Sequence, residues 1–245
     1  MKFCFYVNPF RPEAAKIAEE LKSVITEYGC AIDQSADIVI AIGGDGTVVE
    51  AYRQTHLPIF AVNAGTLGYL PRIEPQNAKD ALKNVIAGRY SMEERMTLNC
   101  SGSFGNINAL NEAALVKKDT GVIRFSVEVD GMELMRYTAD GIIAATPTGS
   151  TGYSLSCGGP ILDPTSRILV LTPIAPHTLV NRSIVLSPTS TVCIRSQNDA
   201  LVSIDGSAEA VSAGDTVSIS VSESVMRFIT LKSESFVARL REKLV

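Results

Sequence analysis

Residues 38–53, IVIAIGGDGTVVEAYR, constrain this chain more than any other stretch, because an apolar run is cut off abruptly by Gly43, Gly44, Asp45, Gly46 and Thr47. Ile38 to Ile42 is too short for a helix of its own and is bounded by glycine, so it reads as a buried parallel strand. A helix is expected next: Thr47 and Glu50 have capping-box spacing, in which hydroxyl and carboxylate each satisfy an orphan backbone donor, and Val48, Val49 and Tyr52 open an apolar face. Strand, glycine turn and helix in succession aim free N–H groups and the positive end of a helix dipole at one point, which suits a phosphate. The loop is neither a Walker loop, which needs a Lys after its last glycine, nor the G-x-G-x-x-G dinucleotide fingerprint. Asp45 is the informative oddity, since a carboxylate beside phosphates is repelled unless it faces a metal ion or a hydroxyl whose proton it takes. On the loop alone two readings stand level. One is phosphoryl transfer with Asp45 as general base or metal-side ligand; the other is a tight turn in which Asp45 merely caps the helix.

A chain of 245 residues has room for one or two domains, and two are expected. A net charge of -4 and the absence of any Lys/Arg run argue against a nucleic-acid partner. The first apolar run, Phe3 to Val7, is too short for a signal peptide and no stretch approaches a membrane span, so a cytoplasmic protein with no membrane partner is expected. Cys4, Cys30, Cys100, Cys157 and Cys193 are odd in number, scattered and without C-x-x-C spacing, which points to reduced core thiols rather than zinc or disulfides.

Taken in order, Phe3 to Val7 reads as the first strand and Pro12 as the first position of a helix. Its apolar residues recur at helical spacing from Ala14 to Tyr28, until Gly29 closes it. Pro58 to Val62 gives a third strand, followed by a second glycine-bearing loop from Asn63 to Leu70. In an open parallel sheet two such loops at neighbouring carboxyl ends can share one cleft; the alternative is a plain surface loop, for which Leu67, Tyr69 and Leu70 are unusual. A further helix runs from Ala78 to Ile86 and stops at Gly88. Beyond Met92 the pattern alternates: Met96, Leu98 and Cys100, then Ile123, Phe125, Val127 and Val129 before an Asp130-Gly131 turn. More short strands are expected at 142–146, 168–172, 183–186, 191–195, 201–204, 216–221 and 226–231. The expected fold is thus a two-domain α+β protein. A Rossmann-like α/β phosphate-binding domain covers 1–92 and is completed by a returning C-terminal helix within 233–245. An antiparallel, two-sheet β domain covers 93–232, and the active cleft is expected between the two.

The β half carries chemistry of its own. Asn111 and Glu112 interrupt the apolar segment 109–116 and need partners if buried. Asp140-Gly141 precedes a strand, and Thr146 to Tyr153 reads TPTGSTGY, hydroxyls and glycines with one aromatic. Hydroxyls and a carboxylate suit ribose and amide groups, and a Tyr ring stacks on a base. The alternative is a polar hairpin connection, with Tyr153 in the core. The continuation Gly158-Gly159-Pro160 favours function, because long glycine-rich loops in compact domains are seldom idle.

Seven stretches together resemble the bacterial NAD kinases: GGDGT at 43–47, NAGTLGYL at 63–70, Asn111-Glu112, Asp140-Gly141, TPTGSTGYSLSCGGPIL at 146–162, PIAPHTL at 173–179 and VSIDG at 202–206. GGDGT alone is shared with diacylglycerol kinases, sphingosine kinases and phosphofructokinases; the segment 140–162 makes the match specific. The resemblance implies transfer of a phosphoryl group from ATP or polyphosphate, with a divalent metal such as Mg2+, to the 2′-hydroxyl of the adenosine ribose of NAD. It implies an α/β domain followed by a β domain carrying most NAD contacts, and a homodimer or homotetramer. Asp45 would be the base, and Gly43, Gly44, Gly46 and Thr47 the phosphate cradle. Asn111 and Glu112 would hold the nicotinamide-side ribose, and Asp140, with Ala175 beside it, the nicotinamide amide. Thr151, Tyr153 and Ser156 would line the dinucleotide pocket and Tyr69 would pack on the adenine.

Two departures stand out. Gly152 occupies a position where Ala is usual, and Thr138 one where many members have Arg, which removes a cation from beside the NAD phosphates. The alternatives are a lipid or sugar kinase sharing GGDGT, which leaves 140–162 unexplained, and a non-catalytic nicotinamide-nucleotide sensor, which has no need of the Asp45 base.

Overall fold

The computed structural model describes residues 1–64, 69–70, 73–178, 181–231, 236–237 and 240–241. The first third runs β1 (Lys2–Val7), α1 (Pro12–Glu27), β2 (Ala31–Ile32), β3 (Ile38–Gly43), α2 (Asp45–Thr55), β4 (Ile59–Asn63) and α3 (Ala78–Ile86). There follow β5 (Ser91–Gly102), β6 (Gly105–Ala109), β7 (Glu112–Lys117), β8 (Ile123–Val129), β9 (Met132–Ala139) and β10 (Gly141–Ala145). The single-turn helix α4 (Tyr153–Ser156) comes next, then β11 (Leu169–Ile174), β12 (Ile184–Leu186), β13 (Val192–Ser196), β14 (Ala200–Ile204), β15 (Ser207–Val211) and β16 (Thr216–Thr230). The chain divides into two units, Met1–Glu94 with Met226–Val245, and Arg95–Val225. The expected two-domain α+β class is observed. The tail helix expected within 233–245 lies mostly outside the described residues.

In the first unit the strands order β2-β1-β3-β4, all parallel, and the end of β16 runs parallel beside β4 through Phe228 and Ile59. Every residue of β3 is buried, as an unbroken apolar run between two covered faces requires. Helix α1 starts on Pro12, whose missing N–H costs nothing there, and presents Ala14, Ala18, Leu21 and Ile25 to the sheet. Burying each side chain the size of Leu21 or Ile25 contributes about 1.5–3 kcal/mol. Both α1 and α3 end in the left-handed glycine predicted for them. The Gly29 and Cys30 amides donate to the Thr26 and Ile25 carbonyls, and the Gly88 and Arg89 amides to those of Val85 and Asn84, the 5→2 and 6→1 bonds of a Schellman cap.

The second unit has two sheets. One orders β16-β13-β8-β9, with β5 pairing β16 and β6 pairing β5; the other is antiparallel and six-stranded, β12-β11-β10-β7-β14-β15. Leu98, Phe125, Ile194 and Val217 from the first meet Leu115, Ile142, Leu169 and Val202 from the second in one core. The second sheet is also covered outside, over Ala114, Ile143 and Ala145, which is why β10 and β11 are buried throughout. Two hairpins turn on Asp-Gly with both φ positive, Asp130-Gly131 (52°, 80°) and Asp205-Gly206 (47°, 86°), as two-residue loops require. Only the first was expected.

The strands expected at 216–221 and 226–231 are one continuous strand, because Ser222 to Val225 keep the extended backbone and the Ser224 carbonyl is held by the Thr97 hydroxyl at 2.7 Å. All five cysteines are free, but only Cys100 is a core thiol, its pKa pushed up to about 12 by burial; the other four are partly exposed.

Candidate active site

In the first unit the site forms where β3 turns into α2. Gly44 is the N-cap, extended at φ -98° and ψ -168°, and the Thr47 and Val48 amides donate to its carbonyl, so the helix begins two residues before the expected capping box. This corrects the role assigned to Thr47. Its hydroxyl accepts from Asn8 Nδ2 at 3.2 Å and packs on Gly43, where a Cβ would overlap it, while Glu50 pairs with Arg53. Gly43 is therefore a packing glycine. The first-turn amides of Asp45 and Gly46 have no partner within the helix and keep the anion-binding character inferred from the loop. A cleft of about 310 Å³ opens here, lined by Gly44, Gly46, Thr47, Tyr6, Asn8, Pro9, Phe10, Arg11 and Glu50. Asn8 and Arg11 were missed, although the residues after a parallel strand's carboxyl end are where ligand contacts are expected.

Asp45 does not cap the helix. Its two carboxylate oxygens accept the Tyr69 amide at 3.0 Å and the Leu70 amide at 2.9 Å, which brings Tyr69 to it through the backbone. An oxygen that accepts one N–H keeps a second acceptor site, so the half-buried carboxylate is oriented yet still able to receive a hydroxyl proton. Residues 65–68 of the expected second loop lie outside the described residues.

In the second unit the remaining candidates gather around the ends of β7, β10 and β11. Leu110 to Glu112 is held from two sides. The Asp205 carboxylate accepts the Leu110, Asn111 and Glu112 amides at 2.6, 2.8 and 3.1 Å, and the Thr146 amide and hydroxyl donate to the Asn111 and Leu110 carbonyls at 2.8 and 2.6 Å. Glu112 Oε2 is buried without a hydrogen-bond partner among the described residues. Burial, and then the Asp205 charge, push the Glu112 carboxyl up to about 7. Between its ordinary 4.5 and about 7 the folded chain keeps a proton that the unfolded chain has released, so this group lowers stability as pH rises through that window and then levels off.

Asp140 lies between β9 and β10. Its amide donates to the Ile174 carbonyl at 3.0 Å, its carbonyl accepts the Lys117 amide at 2.9 Å, and its carboxylate meets Lys117 Nζ at 2.8 Å. Lys117 thus places a cation beside Asp140. Ala175 directly follows Ile174, exposed and at φ +43°, a conformation uncommon for a residue with a Cβ and of the kind that clusters at ligand sites. The structure therefore brings Asp140 and Ala175 together. Thr151 spends its hydroxyl on the Thr148 carbonyl at 3.3 Å, whereas Ser156 and Tyr153 are exposed on α4. Tyr153 is 40% exposed and not a core residue; its phenol is raised by burial first, then by Cys157, Asp140 and Glu112. Asp205, like Asn8 and Arg11, was missed as a site residue. The signal was available, since Asp-Gly between alternating runs marks a tight hairpin whose Asp is free to face a neighbouring strand.

Comparison with known proteins shows the family of the chain. The family models of the ATP-NAD kinase N-terminal and C-terminal domains match residues 4–90 and 110–231. An NAD kinase of Flavobacterium johnsoniae is 37% identical over 228 residues, 88% of this chain and 78% of that protein. Among solved structures, an NAD kinase from Archaeoglobus fulgidus in complex with ATP has a TM-score of 0.82 at 26% identity, covering 99% of this chain and 96% of that one. Yeast NADH kinase complexed with NADH shares the fold, with a TM-score of 0.89 at 24% identity over 100% of this chain and 87% of that one.

Proposed function

The chain belongs to the NAD kinase family, and on that premise we propose that it transfers a phosphoryl group from ATP or polyphosphate to the 2′-hydroxyl of the adenosine ribose of NAD, giving NADP. The observation that carries this reading is the Asp45 carboxylate, fixed by two backbone amides at the first turn of a helix whose glycine end opens onto a cleft. Phosphoryl transfer asks a protein for positioning and charge neutralisation rather than covalent chemistry. The first-turn amides and Arg11 meet the donor phosphates, and Asp45 takes the proton of the attacking hydroxyl. Asn111, Glu112 and Asp140, with Tyr153, Ser156 and Ala175 beside them, hold the dinucleotide.

Among the described residues no group of three His, Cys, Asp or Glu side chains stands ready to hold a divalent ion. The described residues alone therefore build no closed metal site, and Mg2+ usually enters such reactions on the substrate phosphates with one or two carboxylates at most. A homo-oligomer belongs to the same reading, supported by Met132 and Leu134 exposed on β9 at the end of its sheet. So does a cytoplasmic location, supported by five free thiols; no helix among the described residues is long and apolar enough to cross a membrane.

Incubation with NAD, ATP and a magnesium salt, scored for NADP, tests the reaction. NAD binding without NADP formation, with either ATP or polyphosphate, would leave a sensor instead. Asp140→Ala is expected to weaken NAD binding at least about tenfold, roughly 1.4 kcal/mol, with its melting temperature nearly unchanged because the Lys117 pair is one-third exposed and contributes little to stability. An unaltered Kd for NAD would remove Asp140 from the site.

A further inference from the structure

Asp205 has no role in the reading above, yet it is built for one. It sits at φ +47° in a two-residue hairpin, and it spends both carboxylate oxygens on three consecutive amides: Oδ2 accepts Leu110, and Oδ1 accepts Asn111 and Glu112. Its own amide donates to the Glu112 carbonyl at 3.1 Å, closing a ring of contacts around the one segment that carries both Asn111 and Glu112. A hairpin needs none of this to turn. Glu112 in turn has an oxygen buried without a partner among the described residues, where a hydrogen-bond donor would be accepted.

We propose that Asp205 is a positioning residue for the dinucleotide: it fixes the backbone of Leu110 to Glu112 and places a fixed negative charge beside Glu112, so that Glu112 gives up a proton to solvent when a ribose diol arrives. The diol hydroxyls supply the donors that Oε2 lacks, and donors favour the ionised carboxylate. Among the described residues the charged group acting on Glu112 is Asp205 from its hairpin, while Glu112, with Cys157 and Asp140, acts on the Tyr153 phenol of α4. Two carboxyl groups this close disfavour a second charge in the free protein, and burial adds to that effect.

The proposal rests on the assignment of this segment to the dinucleotide. Binding and proton release separate the two, and both are measured by calorimetry of NAD binding to the full chain at pH 6 in buffers of different ionisation enthalpy. The unaltered chain is expected to release close to one proton per NAD, and its affinity to rise about tenfold for each pH unit up to about 7. Glu112→Gln is expected to release none. Asp205→Asn keeps an oxygen for the Asn111 and Glu112 amides but removes the charge, so it is expected to bind NAD with less proton release and with the pH midpoint moved to lower pH, while burial still holds that midpoint above the ordinary 4.5. A purely structural role for Asp205 would weaken binding without moving that midpoint, and would overturn the proposal. Proton release that persists in Glu112→Gln would also overturn it, whether or not Asp205→Asn folds. Failure of the unaltered chain to bind NAD at all would overturn the assignment on which it rests.

Discussion

Asp45→Asn is expected to lower kcat by about 10²- to 10⁴-fold, the usual contribution of a general base, while the Kd for NAD stays within a few-fold of the unaltered chain. That loss corresponds to about 3–5 kcal/mol of barrier. The amide that replaces the carboxylate keeps one oxygen for one of the Tyr69 and Leu70 amides and turns its own N–H toward the other. Leaving that donor unsatisfied costs roughly 1–3 kcal/mol, so a modest fall in melting temperature accompanies the kinetic defect. Single-turnover formation of NADP, beside calorimetric NAD binding, distinguishes the two consequences. A stability loss with full turnover would mean that Asp45 orders the Tyr69–Leu70 segment and takes no proton, and the proposed mechanism would lose its base.

Much of this site is legible in the sequence because local rules dictate it. The turn after β3 announces itself through glycines that end a buried strand, and Gly29 and Gly88 mark helix ends that only a left-handed residue closes. What the sequence hides is set by tertiary contact. Nothing in GGDGT distinguishes a carboxylate that caps its own helix from one that reaches residues 69 and 70, and the capping-box spacing of Thr47 and Glu50 misleads because Gly44 starts the helix first. Asn111 and Glu112 are visible as polar residues in an apolar segment, but their support comes from Asp205, more than ninety positions away in the chain. Ala175 is a neutral letter in the sequence; only its positive φ and its neighbour's bond to Asp140 give it significance.

That dependence on distant backbone makes Gly149→Ala the most damaging small substitution expected in the second unit. Gly149 follows Thr146 by three residues and donates its amide to the Thr146 hydroxyl at 3.0 Å, which itself donates to the Leu110 carbonyl. A Cβ at 149 would overlap the Asn111 carbonyl oxygen and carbon and approach the Asn111 Cα to 2.7 Å. These are backbone atoms without a rotamer to yield, so either the turn at 149–151 lifts away or the Asn111 peptide is driven off the Thr146 amide. Overpacking of this kind costs typically about 1–3 kcal/mol, and each buried hydrogen bond broken adds roughly 1–3 kcal/mol. A total near ~4 kcal/mol is a large share of the ~5–15 kcal/mol that holds a typical domain together. The urea midpoint is expected to fall sharply, and NAD affinity by about a hundredfold or more, because the displaced residue is Asn111 itself. Gly152→Ala provides the control in the same loop: its Cβ would lie 3.3 Å from the Gly149 carbonyl and 3.4 Å from Glu112 Oε2, contacts met by a shift of a few tenths of an ångström. It is expected to change stability by less than about 1 kcal/mol. Equal losses in the two variants would show that the loop rejects any side chain, and that the close approach of Gly149 to Asn111 is not what shapes the site.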